Sequence, residues 1–254
     1  MKKKIFDIIS ALLVISILAF IFIQLSPGDP AENYLRASHL PVTDELLKQK
    51  REELGLNSPL IIQYLKWLKN ALLGNFGYSF LRKEPAIYLA LKSLYATFQL
   101  TIFSTFLIIL ISLPIGILSA IKTETWMDKI IISITTIFVS MPVFWLGFSL
   151  ILLFSVKLNW LPVSGRGGFL NFVLPSITLS VPFIGQYIEF IKKSILENIQ
   201  NNLLENAMLR GLKKRYIIFN YLLKGAWIPI LSGFSFTFVS ILTGSILVEE
   251  IFSW

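Results

Sequence analysis

Long apolar runs without any Asp, Glu, Lys or Arg alternate along the chain with shorter charged segments. A helix that crosses the ~30 Å hydrocarbon layer of a membrane needs about 20 mostly apolar residues. The runs lack the polar–apolar alternation of membrane barrel strands, and peptide groups in lipid must be hydrogen-bonded within the protein. The pattern therefore predicts an all-α, polytopic transmembrane helical bundle. Its five spanning helices are Ile8–Gly28, Ser93–Ile121, Ile130–Val156, Gly167–Ile188 and Gly225–Val248.

Five prolines fall within the second to fifth runs. Each removes a main-chain donor, so each is expected to kink its helix. They are Pro114, Pro142, Pro175, Pro182 and Pro229.

The runs divide the chain into three predicted regions. Residues 1–28 form an N-terminal transmembrane anchor, because the apolar stretch is longer than that of a signal peptide and no small-x-small cleavage site follows it. Residues 29–92 form an extracytoplasmic amphipathic segment, and residues 93–254 form the transmembrane core. The middle region contains a helical pattern whose aromatic residues, Tyr64 and Trp67, are expected to anchor at the membrane interface or to contact an external partner.

Composition agrees with a membrane protein: 55% of residues are hydrophobic and only 15% are charged. The net charge of +8 could indicate that the chain binds nucleic acid, but the positions of the basic residues favour a membrane protein. Lys2, Lys3 and Lys4 precede the first run, and a second basic segment separates the fourth run from the fifth. Basic segments stay in the cytoplasm, so the chain is predicted to be a multi-pass protein with a cytoplasmic N-terminus and lipid, not nucleic acid, around it.

Candidate catalytic chemistry is sparse. The chain has no cysteine and one histidine, His39, so a disulfide, a thiolate nucleophile and a multi-histidine metal site are excluded. Glu189, near the end of the fourth run, is expected to pair with Lys193 one helical turn later. Polar residues within the runs either bond between helices or line a solute path. These are Gln99, Thr101, Ser140, Ser176, Thr178, Gln186 and Thr237.

The segment between the fourth and fifth runs, residues 198–224, is the most informative. It contains two short helical patterns joined at Gly211, and Asn202 can cap the first of them. Glu205 lies at the rim of a small apolar patch, which suits a charge-assisted contact with another protein. The alternative is an amphipathic helix on the membrane surface. The patch consists of Leu203, Leu204, Ala207 and Met208.

This segment resembles the EAA loop of ABC importer permeases. Glu205, Ala207 and Gly211 match the glutamate, second alanine and glycine of that loop, whereas Asn206 replaces the first alanine. Other stretches resemble the permeases of the dipeptide, oligopeptide and nickel branch, and together they cover nearly the whole chain. They read LSPGDPA, ELGLNSPLIIQYLKWLKNALLGNFGYSF, MPVFWLGFSLILLFSVKLNWLPVSG, FVLPSITLS and VEEIFSW.

The resemblance implies a translocation subunit in a prokaryotic inner or plasma membrane. Such a subunit pairs with a second, similar permease, identical or different. It receives solute from an extracytoplasmic solute-binding protein and sits on two cytoplasmic ABC ATPase subunits, whose closure drives alternating access. The helix from Leu203 to Arg210 would dock in a groove of an ATPase. The solute would be a peptide, a nickel complex, an oligosaccharide or a related solute.

No GxxxxGK[ST] phosphate-binding loop occurs in the sequence. The chain is therefore expected to be a transporter subunit and not an enzyme, without a cofactor of its own, with ATP bound and hydrolysed by its partners.

Permeases of this branch carry a sixth spanning helix after VEEIFSW, so the bundle is expected to lack its last helix. Two other function classes stay open: a non-transporting membrane fragment or scaffold, and an ion-driven secondary transporter. The latter should show buried acids at the midplane or paired broken repeats, and the sequence shows neither.

Overall fold

The computed structural model describes residues 2–79, 82–199, 211, 214–217 and 223–254. The chain divides into two compact units, Met1–Ser93 and Leu94–Trp254. Within the described residues, four helices are long and apolar enough to cross a membrane, and a bent pair of helices makes a fifth span if the pair counts as one. The predicted all-α, polytopic class is therefore confirmed.

The first unit consists of four helices and a small hairpin. Asp29 caps the second helix by accepting a hydrogen bond from the Ala31 N–H at 3.0 Å, and it also binds Arg51 of the third helix at 2.8 Å. The elements are α1 (Lys2–Leu25), α2 (Pro30–Ala37), α3 (Asp44–Glu53), α4 (Leu60–Leu72) and the antiparallel strands β1 (Tyr78–Ser79) and β2 (Glu84–Pro85).

Helix α4 confirms the amphipathic helix predicted in the middle region. Its Tyr64 hydroxyl lies 2.9 Å from the Ser16 hydroxyl of α1, and its ring meets the Phe20 ring edge-on at 5.5 Å. Gln24 adds a 3.3 Å bond to Gln63. Tyr64 thus packs on the first spanning helix, while its predicted role at a membrane interface stays a prediction.

The second unit contains the remaining helices, the first of which begins in the first unit. They are α5 (Ala86–Ile121), α6 (Trp126–Ser140), α7 (Val143–Leu150), a π-helix (Ile151–Lys157), α8 (Phe169–Ile199), α9 (Lys214–Ile217), α10 (Leu223–Gly244) and α11 (Ile246–Ile251).

Helix α8 is the centre of this unit, and glycines bring its neighbours close. A Cβ at Gly116 of α5 would lie 2.8 Å from the Ile191 Cβ, and one at Gly185 would lie 2.8 Å from the Thr135 carbonyl oxygen of α6. A Cβ at Gly233 of α10 would lie 2.7 Å from the Tyr187 hydroxyl. Small residues at helix crossings are the usual means of tight packing in membranes, so α8 is held by close contacts on three sides.

The third predicted span is not one helix. Helix α6 ends at Ser140, α7 begins at Val143, and the two axes differ by 96°. Pro142 occupies the N-cap position of α7, and it has no N–H to continue the α6 hydrogen bonds. The other four prolines lie inside continuous helices.

The last residues are fixed to the ends of α5 and α8. The Trp254 indole N–H donates to the Ala96 carbonyl at 3.1 Å, and its ring packs against Phe172 at 4.4 Å. Arg166 donates to the Trp254 carbonyl. These contacts all lie at the end of the unit where α8 begins.

Candidate functional site

The opposite end of the second unit is where α5 and α8 end and α6 and α10 begin; we call it the basal end. It is organised around Asp128, which is almost completely buried. Lys192 donates to both carboxylate oxygens at 2.7 Å, the Ser119 hydroxyl donates at 2.5 Å, and the Glu124 N–H donates at 2.9 Å. One carboxylate therefore joins α5, α6 and α8.

Local sequence explains why these groups meet. Asp128 lies in the first turn of α6, where the helix dipole favours a negative charge, and Lys192 lies in the last third of α8. Ser119 lies close to the end of α5. A buried ion pair is tolerated when further hydrogen bonds satisfy its remaining lone pairs, as they do here.

One prediction about this region is wrong. Glu189 does not pair with Lys193: it accepts a hydrogen bond from the Thr135 hydroxyl at 2.9 Å, and Lys193 lies 3.9 Å from Glu197. Helix α6 crosses α8 near Glu189, so the Thr135 hydroxyl of α6 binds Glu189 in place of the expected Lys193.

Most residues of the predicted docking loop lie outside the described residues: Leu203, Leu204, Glu205, Ala207 and Met208. Gly211 is described. It is exposed, has a φ of +73°, and has no atom within 4 Å of where a Cβ would stand. Its left-handed backbone matches the turn predicted at this glycine.

The 198–224 loop connects α8 to α10 at the basal end. The described chain of α8 ends at Ile199, and α10 begins at Leu223. Between them, Ile217 of α9 is buried in the hydrophobic core of the unit, and Ala226 and Ile230 of α10 are buried as well. Ile217 thus joins α9 to the core through apolar contacts.

The Asp128–Lys192 pair is the feature that the sequence does not predict. Its partners are 64 residues apart. The sequence shows only that Asp128 lies just before one apolar run and that Lys192 lies just past the end of another. In the described part of the chain, no group of three or more His, Asp or Glu side chains is placed to hold a metal ion.

Comparison with known proteins adds to this geometry. Residues 112–254 match the family model described as "Binding-protein-dependent transport system inner membrane component", and residues 1–101 match the model of its N-terminal region. The chain is 32% identical to the glutathione transport system permease protein GsiC of Pectobacterium atrosepticum, over 99% of this chain and 81% of the relative.

Two further relatives show the same extent of similarity. A probable peptide ABC transporter permease protein of Sinorhizobium fredii is 30% identical, over 99% of this chain and 82% of the relative. The GsiC protein of Escherichia coli strain K12 is 30% identical, over 99% and 81%. The similarity thus runs through both units and the basal end.

Proposed function

Because the chain belongs to the family of binding-protein-dependent transport system inner membrane components, as a multi-pass permease subunit of an ABC importer and not an enzyme, we propose that it imports peptides. The observation that carries this proposal is the similarity, over 99% of the chain, to permeases named for glutathione and for peptides. Peptide is favoured over nickel as the solute because these names point to peptide chemistry.

The proposed assembly contains two cytoplasmic ATPase subunits, a second permease and an extracytoplasmic solute-binding protein. The N-terminus and the basal end face the cytoplasm. Support comes from the charges: Lys2, Lys3 and Lys4 precede the first apolar run, further basic residues are concentrated around the 198–224 loop, and basic segments of membrane proteins stay in the cytoplasm.

The coupling device is the 198–224 loop, with Glu205 meeting a basic residue of an ATPase and the apolar patch around it filling a groove. A charge-assisted hydrogen bond contributes about 1.5–3 kcal/mol, so Glu205 orients the contact and the patch supplies the remaining free energy. The loop joins α8 to α10, so a displacement of the docked ATPase pulls on both helices.

Asp128 extends that displacement to two more helices. Since its carboxylate contacts Lys192 of α8 and Ser119 of α5, helices α5, α6 and α8 move together at the basal end. Closure of the ATPases would then rock the unit as a body between inward-open and outward-open states.

The proposal is tested by co-expressing the chain with its neighbouring transporter subunits and reconstituting the complex in liposomes. We expect ATP-dependent uptake of labelled trialanine, and co-purification of the ATPases. Absence of the ATPases from the purified complex would favour a membrane scaffold and contradict the proposal. ATP-independent uptake driven by an ion gradient would favour a secondary transporter.

A substitution at Glu205 tests the coupling role of the 198–224 loop. Glu205→Ala is expected to lower uptake per ATP hydrolysed, because the orienting contact is lost. Glu197→Ala is the matched control, since Glu197 is an exposed glutamate of α8 whose nearest cation is 3.9 Å away. Equal uptake per ATP in the two variants would contradict a coupling role for Glu205.

A further inference from the structure

The break between α6 and α7 leaves main-chain polar groups unpaired. Among the described residues, the carbonyl oxygens of Phe138, Val139 and Ser140 accept no hydrogen bond, and the first N–H groups of α7 donate none before Leu146, which bonds to the Pro142 carbonyl at 3.0 Å. These three carbonyls at the end of α6 therefore have no main-chain partner, as at the end of any α-helix, and Ser140 is the one of the three residues that lines the groove described below.

The break lies at membrane depth. Helix α6 has 15 residues, which corresponds to about 22 Å at 1.5 Å per residue, and the hydrocarbon layer is about 30 Å thick. Asp128 and Lys192 lie near the start of α6, at the basal end. A break about 22 Å farther along therefore falls well within the apolar layer.

Unpaired main-chain groups at that depth are not stable against lipid. Each unsatisfied group costs several kcal/mol in hydrocarbon, so irregular backbone occurs only where it is buried in protein or lines a water-filled space. Thr135 faces α8, but the break itself opens away from it: Thr136 and Ser140, one turn apart, are both exposed. This exposed face must meet water or protein, not lipid.

A shallow, open groove of about 480 Å³ lies at the break. Its wall carries no charged side chain and two hydroxyls. The Thr136 hydroxyl donates to the Ile132 carbonyl at 2.8 Å, which leaves its oxygen free to accept, and within the described residues the Ser140 hydroxyl makes no hydrogen bond. The lining residues are Thr136, Ile137, Ser140, Met141, Pro142, Phe144 and Trp145.

We propose that the α6–α7 break is a peptide-backbone subsite of the solute path, in which the Ser140 carbonyl and the hydroxyl oxygens of Thr136 and Ser140 accept N–H groups of an extended peptide in transit. This rests on the proposed peptide-import function. A wall of acceptors without charge binds the repeating amide of any peptide and is indifferent to the charge of its side chains. Phe144 and Trp145, both about half exposed, supply apolar contact beside it.

The experiment uses the absence of cysteine from the chain. Ser140→Cys and Thr136→Cys are introduced singly in the complete transporter, whose other subunits have had their cysteines replaced. A membrane-impermeant, charged thiol reagent is then applied to the detergent-purified complex. The matched control is Phe236→Cys on the unbroken helix α10, whose parent side chain is 77% exposed.

The subsite predicts that the thiol of the Ser140→Cys variant is labelled much faster than that of the control. Trialanine slows the labelling along a saturating curve, to about one tenth at ten times its dissociation constant. N-methylated trialanine, which lacks the amide donors, gives no protection.

Three results would overturn the proposal: no labelling of the Ser140→Cys variant, equal labelling of the Phe236→Cys variant, or equal protection by the N-methylated peptide. The first would assign the break to the interface with the second permease. If the wild-type complex takes up trialanine in an ATP-dependent way and the variants give any of these three results, the subsite alone is refuted. If the wild-type complex shows no ATP-dependent uptake, the proposed function is refuted.

Discussion

Replacing Lys192 by methionine removes the cation from a buried carboxylate and keeps most of the side-chain length. The Asp128 side chain is 4% exposed and that of Lys192 is 14% exposed. After the substitution, Asp128 retains two neutral donors, the Ser119 hydroxyl and the Glu124 N–H. Breaking a buried pair by removing one partner costs about 3–5 kcal/mol, a large part of the ~5–15 kcal/mol that stabilises a typical protein.

The adjacent lysine provides the control. The Lys193 side chain is 77% exposed, and its partner Glu197 lies 3.9 Å away with 64% of its side chain exposed. Such a surface pair contributes about 0–1 kcal/mol. Lys192→Met and Lys193→Met therefore make the same chemical change one residue apart, in buried and exposed settings.

Thermal unfolding of the purified chain, followed by the fluorescence of its six tryptophans, measures the difference. At roughly 2–4 °C per kcal/mol for a chain of this size, Lys192→Met is expected to lower the midpoint by about 6–20 °C. Lys193→Met is expected to lower it by less than about 4 °C.

A double variant separates the lost pair from lost packing. Asp128→Leu combined with Lys192→Met leaves no buried charge, so it is expected to recover much of the stability lost in Lys192→Met. Equal midpoints for Lys192→Met and Lys193→Met would refute the assignment of the buried pair as the clamp of the basal end.

Three other substitutions test the packing and the loop. Gly185→Ala places a Cβ 2.8 Å from a carbonyl oxygen of α6 and should cost about 1–3 kcal/mol, whereas Gly244→Ala, with open space around it, should leave the unfolding midpoint nearly unchanged. Gly211→Trp should lose the ATPases on purification while Gly211→Asn keeps them, because asparagine tolerates a φ of +73°; retention by both would contradict a docking role. Trp254→Phe removes one buried hydrogen bond worth about 1 kcal/mol and should lower the midpoint by a few degrees, and no change would show that this bond is dispensable.

Hydrophobic pattern alone predicts the spanning helices well, because lipid leaves a continuous apolar run no alternative to a helix. Its limit is seen at Pro142. Five prolines occur in the second to fifth runs, yet among these five only Pro142 lies at a break between helices, whereas Pro114 and Pro182, for example, lie within continuous helices. Which proline breaks a helix depends on what packs beside it, and that is a tertiary property.

The basal end shows a similar limit. The i, i+4 rule pairs Glu189 with Lys193, because it considers a helix alone, and it misses Thr135 of the crossing helix. The Asp128–Lys192 contact depends on how α6 and α8 cross, which Gly185 permits by its lack of a side chain. The loop composition around Glu205 and Gly211, in contrast, is a local signal that can be read from the sequence alone, and its docking role stays a prediction.

The number of peptides imported per ATP hydrolysed, measured in liposomes containing the complete complex, tests the central claim most directly. The account predicts that Glu205→Ala lowers this ratio while ATP hydrolysis continues and the subunits stay assembled, because force no longer reaches α8 and α10 in full. An unchanged ratio in the Glu205→Ala complex, or uptake that proceeds without ATP, would contradict it.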